Sequence, residues 1–337
     1  MQKKTATLTA LFVSLLSLSS PCLAQDNAQL VNEAKKEKKI VYYTAISLPD
    51  AVSLAKGFEA RYPGITVEIF RSGSQGLVNR VTNEYRAQRH FFDVVSVNAQ
   101  VMNTFSETGI LGRYISPESK EYQEGFKSPD GSWTGIYTNV YVIAYNRKLV
   151  PAGEAPKTYQ GLSNPRWRGK IMKDRTVPQW FIFMVQQLGR EKGLSMMKAM
   201  VANALIYRNG ATLVVQLVAA GEAPLGFPVK GQEVEEMKMK GAPVEWTRPE
   251  PNFVSPVGMG IASNSPHPNA ARLFVDYVLS KEGQEIIAGT GRTPTRSGIK
   301  HNFPKLTEGA VFPASKILPS KEYQDMSKLY LDVFKSK

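Results

Sequence analysis

The sequence predicts a mixed α/β protein built on a mostly parallel sheet with helices on its faces. Two observations carry this prediction. Between residues 39 and 98, three short β-branched or aromatic runs alternate with two amphipathic helical runs, in β-α-β-α-β order. Composition agrees: the chain has 337 residues, 42% hydrophobic and 21% charged, which suits a globular protein long enough for two domains.

The elements follow in order. Residues 1–24 read as a secretory signal peptide: Lys3 and Lys4 precede an apolar stretch, and Cys22-Leu23-Ala24 places small residues for cleavage before Gln25. Cys22 is the only cysteine. Lipid attachment there is the alternative to cleavage, but Pro21 is a poor neighbour for it. The mature chain then has no thiol or disulfide chemistry. "KIVYYTAI" (39–46) reads as a buried strand, "PDAVSLAKGFEARYPG" as an amphipathic helix, "ITVEIFR" (65–71) as a strand, "GSQGLVNRVTNEYRAQ" as a helix and "FDVVSVN" (92–98) as a third strand. A long strand spans 133–146, and residues 156–173 mix a helix, a turn and a short strand. Residues 178–202 are helical with a break at Gly189 and Gly193, and "ATLVVQLVAAGEAPLGF" is a helix, a turn and a buried strand ending at Phe227. "SPVGMGIASNS" (255–265) is a strand, and "HPNAARLFVDYVLSKEGQEIIAGTG" is a helix pair. No later stretch is long and apolar enough to span a bilayer.

The formal charge is +13. Lys3 and Lys4 are the only charges in residues 1–24, so the chain after cleavage carries 13 − 2 = +11. No basic run with interleaved aromatics marks a nucleic-acid surface. "EAKKEKK" (33–39) carries its own glutamates and reads as a solvated helix face. A diffuse positive field that attracts small anions remains.

The motifs "VYYT…FEARYPGITVE", "FDVV", "NPRWRGKI", "AAGEAPLGF" and "SPVGMGIASNSPHPNAARLFVDYVLSKEGQEI" resemble family 1 extracellular solute-binding proteins, the periplasmic components of ABC importers. The resemblance is narrowest to the branch holding ferric-ion-, thiamine-, phosphonate- and sugar-phosphate-binding members. It implies a two-lobe periplasmic-binding-protein fold of type 2, with two crossing hinge strands and a ligand cleft between the lobes. Lobe one would be 25–132 and 256–300 and lobe two 133–255, with the C-terminal helical segment 301–337 not assigned to either.

The iron binders of that branch carry two adjacent tyrosines after the strand read here as ending at Phe227, and often His or Tyr after the first strand. Here Pro228-Val229 follow the one, and Ala45, Ile46 and Ser47 follow the other. The three histidines, His90, His267 and His301, lack ligand spacing. No metal is therefore expected, and no cofactor. If iron binds after all, Tyr43, Tyr141 and Tyr207 are the candidates, with Tyr137 a further one.

Ligands of open α/β sheets bind beyond the carboxyl ends of the strands. Thr44 and Ser47 follow the first strand. Ser72, Ser74 and Gln75 open a helix whose free N–H groups and dipole suit an anion, although a serine there also serves as a plain cap. Asn98 hydrogen-bonds a ligand or caps the next helix, and Gln100 stands beside it. From the second lobe come Arg175, a bidentate partner for a carboxylate or phosphonate, Thr176 as a cap and Trp180 as an organic cover. Asn209 and Thr212 precede another helix, and Phe227 offers an apolar wall. For each of these the plain alternative is a capped helix, a surface arginine or a core aromatic. Together they point to a small organic anion: a phosphonate, phosphorylated compound or carboxylate. The expected partners are that anion and an inner-membrane ABC permease, with no nucleic acid, and the chain is expected to be a monomer. Ferric iron is the alternative ligand, and a sensor subunit for a membrane receptor is the alternative role. No Gly-x-Ser-x-Gly elbow, P-loop or HExxH motif is present, so no enzyme is expected.

Overall fold

The structure is a computed structural model that describes residues 22–309 and 316–335. The segment read as a signal peptide lies outside the described residues up to residue 21.

The first half builds one lobe. Helix α1 (Cys22–Glu37) leads into strand β1 (Lys39–Thr44), α2 (Leu48–Arg61), β2 (Thr66–Arg71), α3 (Ser74–Arg86), β3 (Val94–Asn98) and α4 (Ala99–Glu107). Strands β1, β2 and β3 are parallel, as the crossover helices require. The long strand β4 (Thr134–Asn146) follows. The chain continues through β5 (Ile171–Asp174), α5 (Pro178–Leu188), α6 (Arg190–Val201), β6 (Ile206–Arg208), α7 (Ala211–Ala220), β7 (Leu225–Lys230), α8 (Gly231–Met239) and β8 (Val244–Thr247). It then returns through β9 (Val254–Ile261), α9 (Pro268–Leu279), α10 (Lys281–Gly289), the short β10 (Thr293–Pro294) and α11 (Ser320–Val333).

The strand order is β2-β1-β3-β9-β4-β7-β5-β6, with β8 and β10 also pairing β4. Strand β4 makes the fold two-lobed. Its first half, Thr134–Val140, pairs antiparallel with β9; its second half, from Tyr141, pairs with β7 and β8. All thirteen of its residues are buried, because it is flanked along its whole length. β4 and the return into β9 are the two crossings.

Each lobe has its own core on both faces of its sheet. In the first, Phe58, Tyr42, Phe274 and Tyr277 pack edge to face, and Tyr43 stacks on Phe92 across the sheet. In the second, Trp180, Phe181 and Phe227 fill one face, and Val142, Val214, Val218 and Val229 the other. The C-terminal helix, which sequence left unplaced, packs Tyr330 and Phe334 into the second core against Phe181. Its leading residues reach the first lobe: Gln100 on α4 exchanges two hydrogen bonds with the main chain of Leu318, at 2.8 and 3.2 Å.

Two expectations change. The helix expected within 156–173 is two short 3-10 turns, Gln160–Ser163 and Pro165–Trp167. Gly161 and Pro165 break the α-helical ladder there. The strand expected to end at Phe227 runs on to Lys230, so Gly231 and Gln232 are the residues that leave it. No tyrosine stands there either. Among the described residues, no helix is long and apolar enough to cross a membrane.

Candidate functional site

A cavity of about 300 Å3 lies where β4 passes between the lobes. Its floor is β4 itself. Tyr137, Asn139 and Tyr141 all line it, because alternate residues of a strand share a face. The first lobe contributes Ala45, Ser74, Val97 and Asn98; the second contributes Asp174, Thr176, Thr212 and Lys230.

Helix starts dominate the walls. Helices α3, α5, α7 and α8 all begin at the cavity, and none has a side-chain cap; their preceding residues are Gly73, Val177, Gly210 and Lys230. The first N–H groups of a helix have no partner within it, so helix ends at the cavity bring main-chain donors and positive dipole ends to it; α5 opens on Pro178, which has no N–H to give. Helix α4 differs: Asn98 accepts from the Val101 N–H at 3.1 Å and lines the cavity as well.

Asp174 organises the second-lobe wall. One carboxylate oxygen accepts from the Thr176 N–H (2.8 Å), the Thr176 hydroxyl (2.7 Å) and the Gly210 N–H (3.0 Å). It thereby ties the end of β5 to the start of α7. Gly210 takes φ 101°, a backbone conformation that only glycine adopts easily. Lys230 brings the cationic side chain and is held by Glu233 at 3.0 Å. Asn139 accepts from the Gln232 amide at 2.8 Å, which fixes the floor.

The two phenols are neutral donors. Burial pushes Tyr137 up to about 12, against the pull of Arg292 beneath its ring. Tyr141 is pushed higher still by burial, and the charges of Asp174 and Glu233 act in the same direction.

Of the residues singled out from sequence, Ser74, Asn98, Thr176 and Thr212 line this cavity, and so do Tyr137 and Tyr141. The others do not. Thr44 is buried and bonds Ser96 at 2.7 Å, because β1 and β3 are neighbours there. Ser47 caps α2 by accepting from Asp50. Ser72 precedes the cap and lies outside the lining, and Gln75 turns outward to Asn79. Arg175 is exposed, and its Nε donates to Asn209 at 2.9 Å; the pair stands outside the cavity lining. Trp180 and Phe227 face each other inside the second core with ring centroids 5.2 Å apart, so neither covers nor walls a ligand. Tyr43 is buried against Phe92 and Phe70, and Tyr207 packs partly buried against the second core. Gln100 serves the C-terminal segment.

Sequence reading missed Lys230, Asp174 and Asn139. The period-2 pattern of β4 was a usable signal for Asn139, given Tyr137 and Tyr141. For Lys230 the true end of β7 was needed. Among the described residues there is no group of three or more His, Cys, Asp or Glu side chains able to hold a metal.

Comparison with known proteins places the chain. The family model for bacterial extracellular solute-binding proteins matches residues 90–316. An Fe(3+)-binding periplasmic protein of Serratia marcescens is 26% identical over 265 residues, covering 75% of this chain and 77% of that protein. Iron uptake protein A1 of Synechocystis is 24% identical over 304 residues, covering 85% and 83%. Among solved structures, iron-bound HitA from Pseudomonas aeruginosa superposes with TM-score 0.75 at 21% identity, covering 88% of this chain and 99% of that one. AfuA from Actinobacillus pleuropneumoniae with fructose-6-phosphate bound gives TM-score 0.76 at 23% identity, covering 89% and 99%. With this fold, this cleft and a family match over more than half its length, the chain belongs to the bacterial extracellular solute-binding proteins, which deliver their ligands to ABC transporter permeases.

Proposed function

We propose that this chain captures a small organic anion in the periplasm, a phosphorylated compound, phosphonate or carboxylate, and hands it to an ABC permease without chemistry. It is exported by a signal peptide cleaved after Ala24 and acts as a monomer. One observation carries the reading: four helix N-termini without side-chain caps converge, with Lys230, on one cavity. Phenol O–H groups from Tyr137 and Tyr141 add donors, and Asp174, Asn139 and Asn98 suit ligand hydroxyls. The AfuA structure named for bound fructose-6-phosphate shows that a fold this similar takes a phosphorylated solute.

Ferric iron is the second reading. Several relatives are named for iron, and Tyr137 and Tyr141 would be its phenolate ligands. Against it, the chain lacks tyrosines at the exit of β7, both phenols are held neutral by burial, and the one carboxylate in the cavity already takes three hydrogen bonds on one oxygen.

Thermal denaturation of the mature protein against ferric citrate, phosphate, sugar phosphates, phosphonates, thiamine and small carboxylates decides between them. A ligand specific to the native state adds about 2.7 kcal/mol at a hundredfold excess over its dissociation constant. A shift with organic anions and none with iron is expected. A shift with iron and a visible phenolate-to-iron colour overturns the reading.

A further inference from the structure

Behind the polar cavity lies a second one of about 230 Å3. The two adjoin, since Asn98, Gln179 and Ser255 line both. Their chemistry differs. The first holds Lys230, Asp174 and the helix starts. The second is walled by Phe126, Ile182, Phe253, Val254, Pro256 and Ile317, with the amides of Gln100 and Gln123 beside them; among the described residues its one charged lining residue, Lys316, is exposed at its edge. Phe253 is itself set in a cluster of tilted rings, 4.9 Å from Tyr141 and 5.2 Å from Phe183 between ring centroids.

The C-terminal segment roofs this second chamber. Ile317 and Tyr323 line it. Gln179 donates to the Tyr323 hydroxyl at 2.9 Å, Gln100 holds Leu318, and Gln186 donates to the Lys316 carbonyl at 2.8 Å. The roof is therefore pinned to α4 of one lobe and α5 of the other.

An ion as small as phosphate occupies only part of the polar chamber. It would leave only water against the apolar walls, a poor arrangement for a chamber of this size. We propose that the physiological ligand is bipartite: its anionic end sits on the helix starts of the first chamber, and an uncharged aryl or similarly apolar group of the same molecule fills the second. This rests on the organic-anion reading above and narrows it. Asn98, Gln179 and Ser255 form the collar between the parts, where amide and hydroxyl groups meet the junction of an apolar group and its charged end.

Matched probe pairs test it on the mature full-length protein by titration calorimetry: ethyl and phenyl phosphate, ethylphosphonate and phenylphosphonate, propionate and phenylacetate. The aryl member of a binding pair should bind at least about tenfold tighter, from burial of one ring. Ile317→Trp fills the chamber from its half-buried roof; it should abolish the difference within each pair. Phe126→Ala, at another half-buried lining residue, should reduce the advantage several-fold and serves if the tryptophan variant does not fold. Equal affinity within every pair, or an advantage that survives in the folded variants, overturns the two-chamber proposal while the anion reading stands. If no member of any pair binds, both fall together.

Discussion

Arg175 is the cation that sequence offers for anion recognition, and Lys230 is the one the structure places at the cavity. Lys230 ends β7 inside the cleft, while Arg175 lies exposed beside Asn209. Lys230→Ala should therefore weaken the panel anion that raises the melting temperature by about 1.5–3 kcal/mol, the usual worth of a charge-assisted hydrogen bond. Arg175→Ala should stay within about 0.5 kcal/mol in affinity and stability, as expected of a surface change. Calorimetric titration of the two variants side by side checks this; a larger loss at Arg175 would reassign the anion's partner. The contrast also marks what sequence could tell. Ser74, Asn98, Thr176 and Thr212 were legible because cleft residues of an α/β sheet follow strands and open helices. Trp180 and Phe227 were not, because sequence cannot say which side of α5 or β7 faces the core. Trp180 lies on a helix with six consecutive buried residues, Trp180 to Val185, so no amphipathic stripe pointed it inward.

At the level of elements, two devices hold the second-lobe wall, and each can be broken separately. The first is the start of α7. Gly210, at φ 101° and ψ 131°, donates its N–H to Asp174, and the next residues, Ala211 and Thr212, line the cavity. An alanine there finds open space for its Cβ but adopts that backbone only with strain. Gly210→Ala should cost about 1–3 kcal/mol in chemical denaturation and weaken the anion too, because the relaxed backbone no longer points its donors inward. Lost stability with unchanged affinity would mean that the α7 amides do not touch the ligand. The second device is the docking of α11. Lys173 on β5 is fully buried, donates to the Tyr330 hydroxyl at 2.8 Å and to the Asp174 carbonyl at 3.0 Å, and sits among the rings of Trp180, Phe227, Tyr330 and Phe334. Burial pushes its ammonium down from 10.5 to about 7, with the charge of Asp174 pulling the other way. The folded value lies below the unfolded one, so the unfolded chain binds more protons between pH 7 and 10.5. Stability should rise with pH across that window, and the cost of this lysine should be fully developed below about pH 7. Lys173→Met should flatten the slope and raise the melting temperature more at pH 6 than at pH 9. A slope that persists in the variant would assign it to another group.

For the whole molecule, the main question is what resists opening of the cleft. The long strand β4 and the return into β9 join the lobes on the hinge side, and sequence placed the two crossings near 133–146 and 250–260. The third connection was hidden. The segment before α11 carries no motif, and its role rests on contacts far apart in sequence: Gln100 with Leu318, and Ser320 with Glu107 and Thr104. Because α11 is anchored in the second-lobe core, these bonds tie the first lobe's α4 to the second lobe. A tie of this kind shifts a two-state opening equilibrium by its own free energy, about 1 kcal/mol per hydrogen bond. Gln100→Ala removes two such bonds and leaves both lobe cores intact. The ligand-free variant should populate more open molecules, seen as a larger radius of gyration in small-angle scattering, and the panel anion that binds the native protein should restore the compact form. Its affinity should fall by up to roughly tenfold per 1.4 kcal/mol of lost closure, chiefly through faster release. An unchanged radius together with unchanged affinity would show that the hinge strands alone set the closed state, and that the C-terminal segment is only a cover for the second lobe.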